Sequence, residues 1–207
     1  MRKYSLINEE SIAIGEHTLY RIVATTNIPK WGVHVGDKGG WVESERNLSH
    51  YGDAWIGNEA KVFGRAWVFD DAMVGFSARV YGEAVVYRSA IVGGNVRVCG
   101  DAEIYDKAWI SDEAKIFGRS FVYGNARILE NARVFGDATV SGNAIISGNA
   151  RIFGDSWVSE DAEISGNAKV FGNAQVYGDV RVSGGTKISG ESLVYNSLIL
   201  ENFKNIK

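Results

Sequence analysis

Apolar and polar positions along the chain recur with a period of six, not the 3.6 of a helix. From Gly52 the frame reads Gly-(Asn/Asp)-Ala-x-(Ile/Val)-x, beginning Gly52-Asp53-Ala54-Trp55-Ile56-Gly57 and running to Glu201 without an insertion. The fifth position is aliphatic in every hexad from Ile56 to Leu200, and β-branched in all but the last. The third is mostly Ala, with Val96, Ser120, Ser156, Val180, Thr186, Ser192 and Leu198 as exceptions. In an extended strand, residues two apart face the same way, so each hexad predicts a short strand with one small and one β-branched side chain turned inward. Gly, Asn and Asp dominate the first two positions, where a tight corner asks for left-handed backbone. Hexads joined without long connections predict a solenoid whose coils bury one another. Eight or so coils at roughly 4.8 Å per rung make a prism roughly 40 Å long.

These hexads resemble the hexapeptide-repeat left-handed parallel β-helix family. The resemblance implies three hexads per triangular coil of eighteen residues. It also implies a left hand, against the usual right-handed crossover preference. The expected fold class is all-β: a left-handed parallel β-helix (hexapeptide-repeat solenoid) with a small N-terminal β capping segment. The expected boundaries are a β-hairpin cap over 1–39, the β-helix over 40–201 and a C-terminal tail over 202–207. The residue after the aliphatic position departs from the family habit of Gly, Ala or an acid: here it is Phe, Tyr, Ser or Gly, which changes the outer surface only. In the first segment, Tyr4–Ile7, Ser11–Ile14 and Thr18–Thr25 read as strands, Gly15-Glu16 as a hairpin turn and Gly36–Gly40 as a loop into the first coil. The run Gly39-Gly40-Trp41-Val42-Glu43-Ser44-Glu45, followed by Asn47-Leu48-Ser49 and the first hexad, is similar to the opening of the YdcK-like group. That group is described as acyltransferases, and similar chains are common in prophages. The resemblance implies a bacterial or phage-encoded solenoid, with a host-interaction or anti-defence role.

Every third hexad shares a face, so the outward fourth position forms three ladders. One is wholly basic: Lys61, Arg79, Arg97, Lys115, Arg133, Arg151, Lys169 and Lys187. Beside it run Phe63, Tyr81, Cys99, Phe117, Phe135, Phe153, Phe171 and Ser189. This basic–aromatic stripe is the expected binding site for a macromolecular partner, an acidic protein surface ahead of nucleic acid. The competing expectation is a solvated face neutralised by the corner acids Glu83, Asp101, Asp137, Asp155 and Glu191. The second ladder begins Trp55, Met73, Ile91, Trp109, flanked by small residues, and is flat and apolar in its N-terminal half. The third carries Trp67, Phe121 and Trp157 beside Phe69, Tyr87, Tyr105, Tyr123, Tyr177 and Tyr195. Both suit an interface, with residues 1–39 or with a second copy in a dimer or trimer. The third also suits a ring ladder that stiffens its face.

Formal net charge is −3, so no global pull on nucleic acid or membrane follows. No apolar run is long enough to span a bilayer, and Met1-Arg2-Lys3 leads into polar residues, not a signal core. Cys99 is the single cysteine, which points to the cytoplasm, and no spacing suits a metal or a cofactor. Acyl transfer requires a base. The three histidines are His17, His34 and His50, none beyond the first coil, and the alternative reading as an acyltransferase with a thioester donor rests on His34 or His50. His50 occupies an inward position of the frame, which suits a capping residue. The corner acids recur with the repeat and are poor candidates for catalysis. The primary expectation is a non-catalytic binding protein; a self-assembling rod is the third.

Overall fold

The computed structural model describes residues 2–206. Each hexad contributes a strand at its fourth and fifth positions, two residues long as in Lys61–Val62, Trp67–Val68 and Met73–Val74, and four at Val180–Ser183 and Leu198–Glu201. Strands eighteen residues apart pair in parallel and in register, so that Arg79, Arg97 and Lys115 stand directly one above another. Three sheets result. The first holds the coil strands from Lys61–Val62 to Lys187–Ile188, the second those from Trp55–Ile56 to Leu198–Glu201, and the third those from Trp67–Val68 to Leu193–Val194. The chain is an all-β parallel solenoid, as the hexads require.

The corners explain why the period never slips. Every sixth residue from Gly52 to Asn202 has positive φ. Glycine is the commonest occupant, and Asn or Asp takes several of the rest. Phe76, Arg88, Glu130 and Glu160 also adopt this conformation, at a cost of roughly 1 kcal/mol or more each. Inside, the columns of Ala and Ile or Val are fully enclosed: Ala60, Val62, Ala78 and Val80 are all 0 % exposed. Where Ser replaces Ala, it bonds locally: Ser120 Oγ donates to Phe117 O at 3.2 Å and Ser156 Oγ to Phe153 O at 3.0 Å. The core therefore tolerates these polar substitutions without leaving a donor unmet.

The first segment extends the first sheet. Strands β1 (Tyr4–Ile14) and β2 (His17–Ala24) form an antiparallel hairpin about Gly15-Glu16, and β2 pairs antiparallel with β3 (Lys38–Val42). β3 then pairs in parallel with Lys61–Val62. Two expectations change. The separate strands Tyr4–Ile7 and Ser11–Ile14 are one strand with a bulge between Ile7 and Ser11. The loop expected at Gly36–Gly40 gives way to β3. A Cβ on Gly39 would lie 2.5 Å from Ile56 O and 2.6 Å from the Ile22 and Trp55 side chains, and one on Gly40 would lie 2.5 Å from Ala60 O. These glycines serve close packing, not turn formation. Buried Asn47 joins segment to coil: its Oδ1 accepts from Glu43 and Ser44 N–H, and its Nδ2 donates to Gly64 O and Ala66 O. At the far end Ile206 bridges to Ile188.

Candidate binding face

The basic ladder is a product of the pleat. Its residues immediately precede the inward aliphatic of each first-sheet strand, so they point out, and parallel in-register pairing stacks them from Lys61 to Lys187. Among the described residues none of the eight forms an ion pair. Two of the corner acids that would neutralise them are engaged elsewhere. Glu83 pairs with Arg65 at 2.9 Å, and Asp137 with Arg119 at 2.6 Å. Burial is the first cause that lowers the Lys61 ammonium below its ordinary value; Glu59 opposes this, and the neighbouring Arg79 and Arg21 charges add to it.

Two residues on from the cations, the aromatics form a second column. Phe117, Phe135, Phe153 and Phe171 stack at 4.8 to 4.9 Å with planes within 4° of parallel. Phe63 and Tyr81 stack at 5.1 Å, and Cys99 interrupts the column. The inner rings Phe135 and Phe153 spend both faces on their neighbours, so there the column offers edges outward. Towards the N-terminus the face continues through Trp41 and Arg21, which lie in register above Lys61. The Arg21 guanidinium sits 4.7 Å from the Trp41 ring, and both side chains donate to Glu59. These bonds, Trp41's first, hold the Glu59 carboxyl below its usual range. Sequence reasoning missed this extension, because β3 lies outside the hexad frame.

The histidines differ sharply in setting. His17 Nδ1 lies 3.0 Å from Glu43 Oε1, and Gly64 N–H donates to Glu43 Oε2 at 2.7 Å. Burial alone would raise the Glu43 carboxyl, but the hydrogen bonds from His17 and Gly64 outweigh it and hold it low. Both residues border a cavity of about 380 Å³ with Ser44, Arg46 and Arg65. His34 is exposed, 3.7 Å from Asp37. His50 stacks on Tyr4 at 4.3 Å, accepts from Lys3 N–H, and is kept below its ordinary pKa chiefly by burial.

On the second sheet Trp55 is 3 % exposed, and Trp31 and Val33 border the same small cavity as Trp55 and Met73. Ile91 is half-buried, while Trp109 is exposed beneath the Arg127 guanidinium at 4.8 Å. On the third sheet Phe69, Tyr87, Tyr105 and Tyr123 form a continuous stack at 4.8 to 4.9 Å. Trp67 joins it through Phe69 at 4.1 Å. Phe121 is half-buried and Trp157 exposed. Burial, with the Glu103 carboxylate next, pushes Tyr87 up to about 12. Among the described residues no group of three or more His, Cys, Asp or Glu is placed to hold a metal ion, and no helix is long and apolar enough to cross a membrane.

The family model described as YdcK Beta solenoid repeat matches residues 78–94, 132–148, 146–160 and 174–190. All four segments lie within the coils, and two of them, 78–94 and 132–148, begin one residue before a first-sheet cation, Arg79 and Arg133. The chain thus carries YdcK-type β-solenoid repeats. A comparison with curated proteins finds no match.

Proposed function

We propose that this YdcK-type β-solenoid is a non-catalytic binding protein whose first-sheet face engages an acidic protein surface. The observation that carries the reading is the ladder of eight stacked cations without a single ion-pair partner among the described residues. Like charges directly opposite in neighbouring strands destabilise a sheet. A face that keeps them unneutralised is complementary to negative charge arriving from outside. The aromatic column favours protein over single-stranded nucleic acid: base stacking needs free ring faces, and within the run from Phe117 to Phe171 only the two end rings keep one. Ring edges and half-buried Phe suit the apolar part of a protein interface. The prophage resemblance adds a host protein as partner.

The test is fluorescence anisotropy with labelled poly-glutamate and a labelled single-stranded oligonucleotide, each at low and high salt. Poly-glutamate should bind more tightly, weaken with salt, and be lost in the Arg97→Glu/Lys115→Glu/Arg133→Glu variant. Equal binding by that variant rejects the site.

One observation favours the acyltransferase alternative. His17, not His34 or His50, is the histidine with a carboxylate at hydrogen-bond distance and a cavity beside it. Acyl transfer from acetyl-CoA that is abolished by His17→Ala would establish it; transfer absent from the wild type would dismiss it.

A further inference from the structure

The third sheet's ring column breaks where Ser141 and Ser159 replace Tyr, and resumes at Tyr177 and Tyr195, stacked at 5.5 Å. The two gaps are unlike. Trp157 leans across the first, its Nε1–H donating to Ser141 Oγ at 3.2 Å. The second, at Ser159, is open: a cavity of about 330 Å³ bordered by Trp157, Ser159, Glu160, Gln175 and Tyr177. Tyr195 covers one face of Tyr177, which leaves the other turned to the gap. The indole and the phenol therefore both border the rung left open at Ser159. Two rungs span about 9.6 Å at ordinary strand spacing, and the intact column places a parallel ring every 4.8 to 4.9 Å. The vacancy has the dimensions of one planar ring.

We infer that this slot binds a planar heteroaromatic ring of the nucleobase class, presented without a phosphate, with guanine the best match. Ring faces are available here, and stacking against the two aromatic side chains supplies the affinity. The border supplies the edge contacts. Glu160 is a carboxylate acceptor that suits the paired N1–H and N2–H donors of guanine, and the Gln175 amide offers a donor for O6. Glu160 also disfavours phosphate, which separates this site from a nucleic-acid backbone groove. The site is on a different face from the basic ladder and stands independently of it. At this volume it lies at the lower end of small-molecule sites.

The experiment is calorimetric titration of guanosine, adenosine and N-acetylglucosamine into the full chain, with saturation-transfer NMR to identify the contacting face of the ligand. Guanosine should bind and adenosine bind more weakly. Ser159→Tyr completes the column, so it should keep or raise the melting temperature while abolishing guanosine binding. Tyr177→Ala should weaken binding about tenfold or more, and Glu160→Gln should erase the preference for guanosine over adenosine. If Ser159→Tyr fails to fold, Tyr177→Ala and Glu160→Gln carry the test. Guanosine binding that is absent, or unchanged in the slot variants, overturns the inference. Binding of N-acetylglucosamine in place of guanosine overturns the ligand class.

Discussion

Arginine is used in two opposite ways on this solenoid. At the corners it is paired with an acid one coil further on: Arg65 with Glu83, Arg88 with Asp106, Arg119 with Asp137. On the first sheet Arg79, Arg97, Arg133 and Arg151 meet only other cations above and below. The eighteen-residue register serves both arrangements, because it sets any residue beside its counterpart in the next coil. Alternating sign along such a column would be the cheaper choice, and the corners show that it is available to this chain. The ladder's uniform sign is therefore not forced by the fold, which is what makes it informative about function.

The sharpest way to break the comparison is to exchange the roles. Reversing Arg97, Lys115 and Arg133 to Glu should reduce binding of an acidic partner about 100-fold or more, since close interfacial charge pairs couple by about 1.5–7 kcal/mol. Reversing Arg65, Arg88 and Arg119 should leave it nearly intact. Anisotropy with poly-glutamate measures both, and equal losses would erase the distinction between ladder and corner.

A third cation sharpens the contrast from the inside. Lys3 is 5 % exposed, donates to Gly52 O at 3.0 Å, and is pushed down to about 8 by burial, against the opposing pull of Asp53 and Asp71. Its folded value lies below the unfolded one, so folding is opposed while the ammonium is charged. The penalty is full below about pH 8 and fades as pH rises towards 10.5. Stability should therefore climb by about 1–2 kcal/mol between roughly pH 8 and 9.5. Lys3→Met should flatten the slope, and denaturant melts across the window would show it.

Next in size is the ladder's own repulsion. Lys115→Glu places a carboxylate between Arg97 and Arg133, turning two like-charge contacts into attractive ones. Stability should rise by about 0.5–1 kcal/mol at low salt. The gain should shrink as added salt screens the wild-type repulsion. A variant no more stable than wild type would mean that solvent already screens the ladder.

These contrasts were unequally legible in the sequence. The solenoid was readable because one aliphatic at every fifth position, a small residue two before it and a corner residue at every sixth all demand the same period. The ladder's composition followed from the same frame. Its lack of partners did not: Glu83 and Asp137 are near the ladder in sequence, but the register sets them against Arg65 and Arg119 at the same corner instead. β3 was misread because Gly39-Gly40 has the composition of a turn, while its physical reason is the crowding by Ile56, Trp55 and Ala60. The slot at Ser159 needed side-chain direction as well, since only the lean of Trp157 towards Ser141 distinguishes the filled gap from the open one.

The smallest effect belongs to the corners themselves. Arg119 donates to Asp137, yet its side chain is 70 % exposed. Exposed pairs lose in side-chain entropy much of what they gain in attraction. Arg119→Ala should lower the melting temperature only slightly, and salt should lessen the difference further. The sign matters more than the size. Removing a corner arginine removes an attraction, whereas removing a ladder arginine such as Arg97→Ala relieves a repulsion, so the two substitutions should move stability in opposite directions. Parallel melts of Arg119→Ala and Arg97→Ala at low salt would decide it. A fall in both would mean that the Arg97 stem packs against the face strongly enough to outweigh its charge, and the ladder would then be held in place by contact as well as set out for a partner.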